Sequence, residues 1–420
     1  MSNKKGEKKG KTELVPELRF PEFRDAGNWK EEKLSSVVQL ISGLHLSPDQ
    51  YSNEGSVPYF TGPSDFTDRM ERISKWTGEL TNIAEKNDTL ITVKGSGVGE
   101  IWYLRLPRVA IGRQLMAIRS TTSSSRFIYQ FLLIKRTRFE DLASGNLIPG
   151  LSRGDILDLE AGFPSFLEQQ KIATCLSSLD ELTTLEAQKL DTLKAHKKGL
   201  MQQLFPAEGK TLPKLRFPEF QDAGEWEVKK IEELAKRGSG HTPSKRKPDY
   251  YNGGIKWVSL ADSSKLDNGY IYETKVEISK EGIENSSAVL HPPGTVIISR
   301  DAGVGKSAIL HSSMAVSQHF IAWLCDKSKL SNWFLYYFLQ ILKPKFEDIA
   351  TGSTIKTIGL SYFKEFCIPI PSIPEQQKIA TCLSSLDDLI TAQTQKIETL
   401  KAHKKGLMQQ LFPALDEVQG

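Results

Sequence analysis

Residues 303–307 read GVGKS, a combination that could bind a nucleotide phosphate if the whole loop were present. A phosphate-binding loop of this kind needs another glycine five residues before its last one, so that backbone N–H groups surround the phosphate. Arg300 occupies that position, and Glu100 stands where Lys306 does in a related segment at 87–100. A carboxylate there would repel phosphate. The pattern therefore favours a glycine turn between strands rather than an ATP site.

Other short motifs of catalysis are incomplete as well. HPPG at 291–294 is similar to the acidic-or-amide-Pro-Pro-aromatic motif of amino-methyltransferases, but His291 cannot replace the amide or carboxylate, and Gly294 cannot stack on a base. The seven histidines lack ligand spacing, and the four cysteines contain no CxxC pair. We therefore predict that the chain is not an enzyme, has no catalytic residues and holds no metal.

The side chains that remain are suited to binding DNA. Arginine and lysine can donate two hydrogen bonds to guanine in the major groove, and glutamine can form two with adenine. The candidate DNA-binding residues are Lys94, Arg105, Arg113, Gln114, Lys245, Arg246, Lys247, Arg300, Gln318 and His319. For any one of them, a solvated surface position is at least as good an interpretation. The basic run at 245–247, beside two tyrosines, is the stronger case.

The chain is built from two related halves. Three strings occur twice: EQQKIATCLSSLD at 168–180 and 375–387, LKAHKKGLMQQLFPA at 193–207 and 400–414, and LRFPEF at 18–23 and 215–220. The first two have the same displacement, since 375 − 168 = 207 and 400 − 193 = 207. A chain of this kind can present two similar surfaces.

The bulk composition is that of a globular protein with two domains of common size. The chain has 420 residues, of which 39% are hydrophobic and 25% charged. A net charge of +4 is mildly basic, so nucleic-acid binding must come from local patches. The polar start lacks a signal segment, and we expect a cytoplasmic protein with no membrane contact. The N-terminal segment is rich in lysine: Lys4, Lys5, Lys8, Lys9 and Lys11. We interpret it as a tail that improves solubility rather than as an arm that contacts DNA phosphates.

The repeated strings predict two long helices. Each runs for roughly 35–40 residues, about 55–60 Å, before Pro206 or Pro413 ends it. An apolar stripe with 3-4 spacing needs a partner, and the other copy supplies one. We expect an antiparallel coiled-coil pair in which Glu186 meets Gln393. The predicted packing residues are Ile172, Leu176, Leu179, Leu193, Leu200, Ile379, Leu383, Leu386, Leu400 and Leu407.

The globular segments share a frame but differ in their loops. NDTLITVKGSGVGE at 87–100 aligns with PGTVIISRDAGVGK at 293–306, and each is a β-branched run entering a glycine-rich turn. We expect a mixed α/β fold with two globular domains and a pseudo-twofold, circular arrangement. In that arrangement the N-terminal LRFPEF copy lies beside the end of the second helix. The predicted segments are 1–30, 31–163, 164–230, 231–371 and 372–420.

This arrangement resembles the specificity (S) subunit of type I restriction–modification systems. The resemblance covers nearly the whole chain. It rests on the doubled EQQKIA…LKAHKKGLMQQLFP helices, the two LRFPEF…W segments, and two dissimilar modules that each contain a G-x-G turn and an FED-(L/I)-A-(S/T)-G helix end. It identifies 31–163 and 231–371 as target-recognition domains, and 164–230 and 372–420 as spacer helices with their flanking segments.

The resemblance implies that each module reads one half of a bipartite, asymmetric site in double-stranded DNA. It also implies that the helices dock two methyltransferase (modification) subunits, to which restriction subunits add. S-adenosylmethionine, ATP and Mg²⁺ would belong to those partners, with no cofactor in this chain. Two other interpretations stay open: a nucleotide-binding enzyme, and a tandem protein-binding adaptor without DNA specificity.

Overall fold

The computed structural model describes residues 14–78, 82–144, 150–352 and 356–413. The predicted N-terminal lysines, at 4–11, lie outside this range. The chain divides into two units, each with its own internal contacts. Unit 1 contains Met1–Ala187 and Gln395–Gly420, and unit 2 contains Gln188–Thr394. Unit 1 is therefore assembled from both ends of the chain.

The chain up to the first long helix contains strands followed by short helices. The strands are β1 (Lys30–Lys33), β2 (Val38–Ser42), β3 (Tyr51–Ser52), β4 (Val57–Phe60), β5 (Trp76–Thr77), β6 (Ile83–Glu85), β7 (Thr89–Thr92), β8 (Ile101–Tyr103), β9 (Arg108–Ile111), β10 (Leu115–Ser120) and β11 (Glu160–Phe163). The helices are α1 (Ser125–Ile134), α2 (Arg136–Ser144), α3 (Arg153–Leu157) and the long α4 (Phe166–Leu204).

The rest of the chain follows the same plan. Its strands are β12 (Glu227–Lys230), β13 (Ala235–Ser239), β14 (Tyr251–Val258), β15 (Tyr270–Ile271), β16 (Glu277–Ile278), β17 (Leu290–His291), β18 (Val296–Ser299), β19 (Ser307–Leu310), β20 (Met314–Val316), β21 (Phe320–Cys325) and β22 (Cys367–Ile370). Its helices are α5 (Ile231–Leu234), α6 (Lys280–Glu284), α7 (Asn332–Ile349), α8 (Leu360–Lys364) and the long α9 (Ile373–Leu411).

Equivalent sheets occur in the two units. In unit 1, one sheet has the strand order β2-β10-β7-β8, and a second has the order β3-β5-β4-β9-β6. In unit 2 the corresponding orders are β13-β21-β18-β19-β15 and β16-β14-β20-β17. The central strands, β7 (TLIT) and β18 (VIIS), are buried at every position. Their β-branched side chains suit a strand that is covered on both faces.

The long helices contribute to the core of each unit. Both contain 39 residues, about 58 Å of helix, which agrees with the predicted length. Ile172 and Leu176 of α4 are buried in the core of unit 1, and Ile379 and Leu383 of α9 are buried in that of unit 2. The other predicted packing positions are half-buried: Leu179, Leu193, Leu200, Leu386, Leu400 and Leu407.

Two lysines that the helical pattern places on the apolar stripe form ion pairs instead. In unit 1, Lys404 Nζ lies 2.7 Å from Asp180 Oδ1, and in unit 2 Lys197 pairs with Asp387. The two pairs are repeat-equivalent. Each ammonium group therefore has an acidic partner, which accounts for its position on an otherwise apolar stripe. Within the described ranges, no helix is long and apolar enough to cross a membrane.

Candidate nucleic-acid interface

Most of the predicted DNA-binding residues lie on two neighbouring turns at one end of the sheet. Turn B follows β7 or β18 and covers 93–100 in unit 1 and 300–306 in unit 2. Turn C precedes β10 or β21 and covers 112–114 and 317–319. In unit 1, Val93 N donates to Gln114 O at 2.7 Å, and in unit 2 Arg300 N donates to His319 O at 2.9 Å. The two units thus join these turns in the same way.

A third segment packs against turn C in each unit. Loop A, which covers 43–50 and 240–250, begins at a glycine just after β2 or β13. Leu44 N donates to Ile111 O at 2.8 Å, and His241 N donates to Val316 O at 3.0 Å. A Cβ atom on the first glycine of either loop would overlap a backbone carbonyl oxygen of the facing segment. Glycine is required there because the two backbones approach so closely.

In unit 1 these segments bring together three of the four candidates. Lys94, Arg113 and Gln114 are exposed on turns B and C. The Gln114 amide fits beside Gly62, where a Cβ would lie 2.8 Å from Gln114 Oε1. Arg105 does not join them. It follows β8 at the end opposite turn B.

Arg105 lies in a different environment. One of its guanidinium nitrogens, NH1, is 3.3 Å from Asp68 Oδ2, and both residues line a cavity next to α4. Burial raises the pKa of Asp68 despite the neighbouring Arg105. This location separates Arg105 from the three-segment cluster.

In unit 2, loop A and turn C border a cavity of about 620 Å³. Lys245 of loop A lines it together with Gln318 and His319 of turn C. Thr242 donates a hydrogen bond to Gln318 Oε1, and His319 Nδ1 lies 2.7 Å from Asp301 Oδ1. The Gln318 side chain is therefore held by Thr242, and the His319 ring lies beside Asp301.

The remaining unit 2 candidates lie on the same segments. Arg246 and Lys247 are exposed beside Lys245 on loop A, and Arg300 is half-buried on turn B. Loop A of unit 1, GLHLSPDQ at 43–50, contains neither lysine nor arginine. The two clusters thus share a backbone frame and differ in charge.

The residues of the incomplete catalytic motifs take part in packing and ion pairs within their own units. Lys306 Nζ donates to Ser263 O and Ser263 Oγ, both at 3.1 Å, so it is engaged within unit 2. Its unit 1 equivalent, Glu100, pairs with Arg136. His291 is buried in β17 with its ring over Gly238, and burial lowers its pKa. These contacts agree with the preference for turns and packing over an ATP or methyltransferase site.

Sequence reasoning missed a buried ion cluster that explains two of the repeated strings. In unit 1, Arg19 of LRFPEF donates to both oxygens of Glu168 at 2.8 Å, and Trp29 Nε1 donates to Glu168 Oε1 at 3.3 Å. Glu168 is only 1% exposed. Hydrogen bonding to Glu168 raises the pKa of Arg19. The cluster ties the N-terminal segment to the start of α4.

Unit 2 repeats this cluster with Arg216, Glu375 and Trp226. Arg216 donates to both carboxylate oxygens at 2.7 Å, and Trp226 Nε1 donates to Glu375 Oε1 at 3.3 Å. The signal for both clusters was present in the sequence, because Arg, Trp and Glu recur in every copy of the repeated segments.

Comparison with known sequences agrees with the doubled architecture. The profile of the type I restriction modification DNA specificity domain matches residues 26–195 and again 223–402. The chain belongs to this family. Each of its two specificity domains therefore carries one cluster of loop A, turn B and turn C.

Relatives of the chain include several specificity subunits. It is 32% identical over 178 residues to the type I restriction enzyme MjaIX specificity subunit of Methanocaldococcus jannaschii, a match that spans 42% of this chain and only 41% of that protein. It is also 23% identical over 417 residues to the MjaVIII specificity subunit of the same organism. That match spans 94% of this chain and 93% of that protein. The fold is similar to the crystal structure of the S subunit from M. genitalium. The TM-score is 0.61 at 19% identity, covering 96% of this chain and 100% of that one.

Proposed function

We propose that this chain is the DNA-reading subunit of a type I restriction–modification complex, and that each unit reads one half of a bipartite, asymmetric site. The observation that carries the proposal is the pair of equivalent three-segment clusters with unlike side chains. A shared backbone frame would approach DNA in a similar way in each unit. Different side chains on that frame would then select different bases.

The clusters contain both types of group that a DNA reader needs. Exposed Lys245, Arg246 and Lys247 suit phosphate oxygens, which would supply most of the affinity. Gln318 and the residues of turn C are hydrogen-bonding groups at a fixed position, and such groups supply sequence discrimination. We propose the same division in unit 1, with Lys94, Arg113 and Gln114 at the interface. Arg105, which pairs with Asp68, would contribute less.

The proposal extends to the two long helices as an antiparallel coiled-coil spacer. In unit 1, Lys404 pairs with Asp180, and Lys396 pairs with Glu186. Residue numbers rise along α4 as they fall along α9, which supports opposite helix directions. The repeat-equivalent pair of unit 2 is consistent with this.

A circular arrangement of the repeats is part of the same proposal. Leu18 N donates to Gln410 O at 3.0 Å, and Leu215 N donates to Gln203 O at 2.9 Å. These equivalent hydrogen bonds support a position for the N-terminal repeat beside α9 that matches the position of the central repeat beside α4. We propose that the helices also dock two methyltransferase subunits, and that restriction subunits join through them.

We propose further that the chain is non-catalytic and acts in the cytoplasm. S-adenosylmethionine, ATP and Mg²⁺ would be bound by the partner subunits. The engagement of Lys306 with Ser263 supports this division, because that ammonium group is already used in packing. The proposed target-recognition domains are 31–163 and 231–371.

A module exchange tests the proposal. Residues 31–163 are replaced by the corresponding module of a relative, the chain is co-expressed with its modification subunits, and methylated adenines are mapped in the host genome. Only one half of the methylated sequence should change. A change in both halves would refute the assignment of one half-site to each unit. Salt-insensitive binding of a protein partner with no DNA affinity would instead favour a tandem adaptor.

A further inference from the structure

We infer that Gln318 reads the adenine of one A·T pair in the second half-site, while the methyl group of its thymine contacts the apolar wall of the neighbouring cavity. This inference rests on the proposed function and adds to it a specific base pair and the residues that select it. It arises from the contacts around Gln318, which differ from those of its equivalent in unit 1.

The amide of Gln318 is both exposed and oriented. Thr242 donates its hydroxyl hydrogen to Gln318 Oε1, so one lone pair of that oxygen is used. Among the described residues no other group bonds this amide, so the second lone pair and both Nε2 hydrogens stay available. Adenine presents one donor, N6–H, and one acceptor, N7, in the major groove. The free groups of Gln318 match this pair, with Oε1 accepting from N6 and Nε2 donating to N7.

Thr242 acts as a positioning residue in this arrangement. A glutamine side chain loses rotamer freedom when it binds a base, and that loss opposes binding. A hydroxyl group that already holds the amide lowers the loss. Thr242 belongs to loop A, whose attachment to turn C depends on Gly240. Gln318 and its positioning residue are therefore kept together by the close packing of two backbones.

The cavity beside Gln318 is lined mainly by carbon. Trp257 and Tyr251 form part of its wall, and their polar atoms point elsewhere. Trp257 Nε1 donates to His241 O at 3.1 Å, and Tyr251 Oη donates to Pro243 O at 2.6 Å. The ring surfaces that face the cavity have no remaining donor to satisfy. Such a surface favours the thymine methyl group over the bare C5–H of cytosine.

Unit 1 differs at the same place on the frame. The position aligned with Gln318 is Arg113, and a guanidinium group suits the two acceptors of guanine rather than the donor–acceptor pair of adenine. We therefore expect the side chains at this position, Gln318 and Arg113, to prefer different bases in the two units.

Modified bases test the inference in the complete complex with its modification subunits. The probe is a labelled duplex that contains the methylation-mapped target. Binding is measured by anisotropy for duplexes with 7-deazaadenine or deoxyuridine at each A·T pair of the second half-site. At one pair, each replacement should weaken binding by the wild-type complex, with the loss on the order of 10-fold for 7-deazaadenine.

Variants assign this loss to Gln318. The Gln318→Ala complex should bind the natural duplex more weakly and show no further loss with 7-deazaadenine at that pair. Thr242→Val should give an intermediate loss, and Gln318→Arg should move the preference from adenine toward guanine. Arg113→Ala, the change at the aligned position in unit 1, should keep the full second-half-site profile.

Two different outcomes distinguish failure of the Gln318 inference from failure of the proposed function. If the wild-type complex prefers its target but Gln318→Ala keeps the same sensitivity to 7-deazaadenine, Gln318 does not read adenine and the inference is wrong. If the wild-type complex prefers no duplex, the proposed function itself fails. Assembly of each variant with the modification subunits shows that a loss of binding does not come from unfolding.

Discussion

Replacement of Glu375 by leucine should destabilise unit 2 by about 3–5 kcal/mol. The carboxylate is 1% exposed and accepts two short hydrogen bonds from Arg216, which is itself only 10% exposed. Without the carboxylate, Arg216 keeps one hydrogen bond, from NH1 to Gly224 O at 2.8 Å, and its charge stays largely buried. Trp226 Nε1 also loses its acceptor. An unpaired buried charge accounts for most of the cost.

Urea unfolding of the full chain, followed by tryptophan fluorescence, measures this change. Trp226 packs on Phe334 and belongs to the cluster, so its emission reports on unit 2. For a unit of this size, 1 kcal/mol lowers the melting temperature by about 2–4 °C, so the expected fall is roughly 6–20 °C. Calorimetry should give the same order of destabilisation.

A double variant decides whether unpaired charge is the cause. Arg216→Met combined with Glu375→Leu removes both charges and should be more stable than Glu375→Leu alone. The exposed pair of Lys378 and Glu219 provides the control, and Glu219→Gln should leave stability unchanged. If the double variant is as unstable as the single one, the loss of packing would explain the result. The explanation by an unpaired, buried Arg216 charge would then be refuted.

Three further outcomes are expected. Burial and the nearby Asp180 raise the pKa of Tyr129 to about 12. As the pH rises, the Tyr129 hydroxyl therefore loses its proton in the unfolded chain before it does so in the folded one. The free energy of unfolding should fall between pH 10 and 12 by about 1.4 kcal/mol per pH unit. Tyr129→Phe should remove that component of the pH dependence in urea titrations, and an unchanged slope would contradict it. Burial raises the pKa of Cys325 to about 12, so in native protein iodoacetamide should alkylate exposed Cys367 well before Cys325, as followed by peptide mass spectrometry; equal rates would count against it. Gly240→Ala should lower both thermal stability and DNA affinity, because its Cβ would overlap the carbonyl oxygen of Val316; normal values for both would contradict the packing of loop A.

Local periodicity was sufficient to predict the long helices and the central strands. The 3-4 spacing of Ile172 and Leu176 marked a buried helix face, and the run VIIS in β18 marked a buried strand. These patterns depend on neighbours in sequence.

Long-range charge pairing could not be predicted in this way. Glu168 lies in a helical string where an acid usually faces solvent, and its burial depends on Arg19, which is 149 residues away. Thr242 and Asp301 were also missed, because their importance comes from contacts with Gln318 and His319 across segments. Arg105 was grouped with the interface by charge alone, whereas Asp68 holds it elsewhere.

The composition of unit 1 has a consequence for synthesis on the ribosome. Unit 1 needs residues that are made after all of unit 2, since Leu18 bonds to Gln410 and Trp29 packs on Phe412. Unit 2 is continuous and can close as soon as its own residues have left the exit tunnel. The domain made first should therefore be finished last. A chain that ended before Gln395 would lack part of unit 1 and retain all of unit 2.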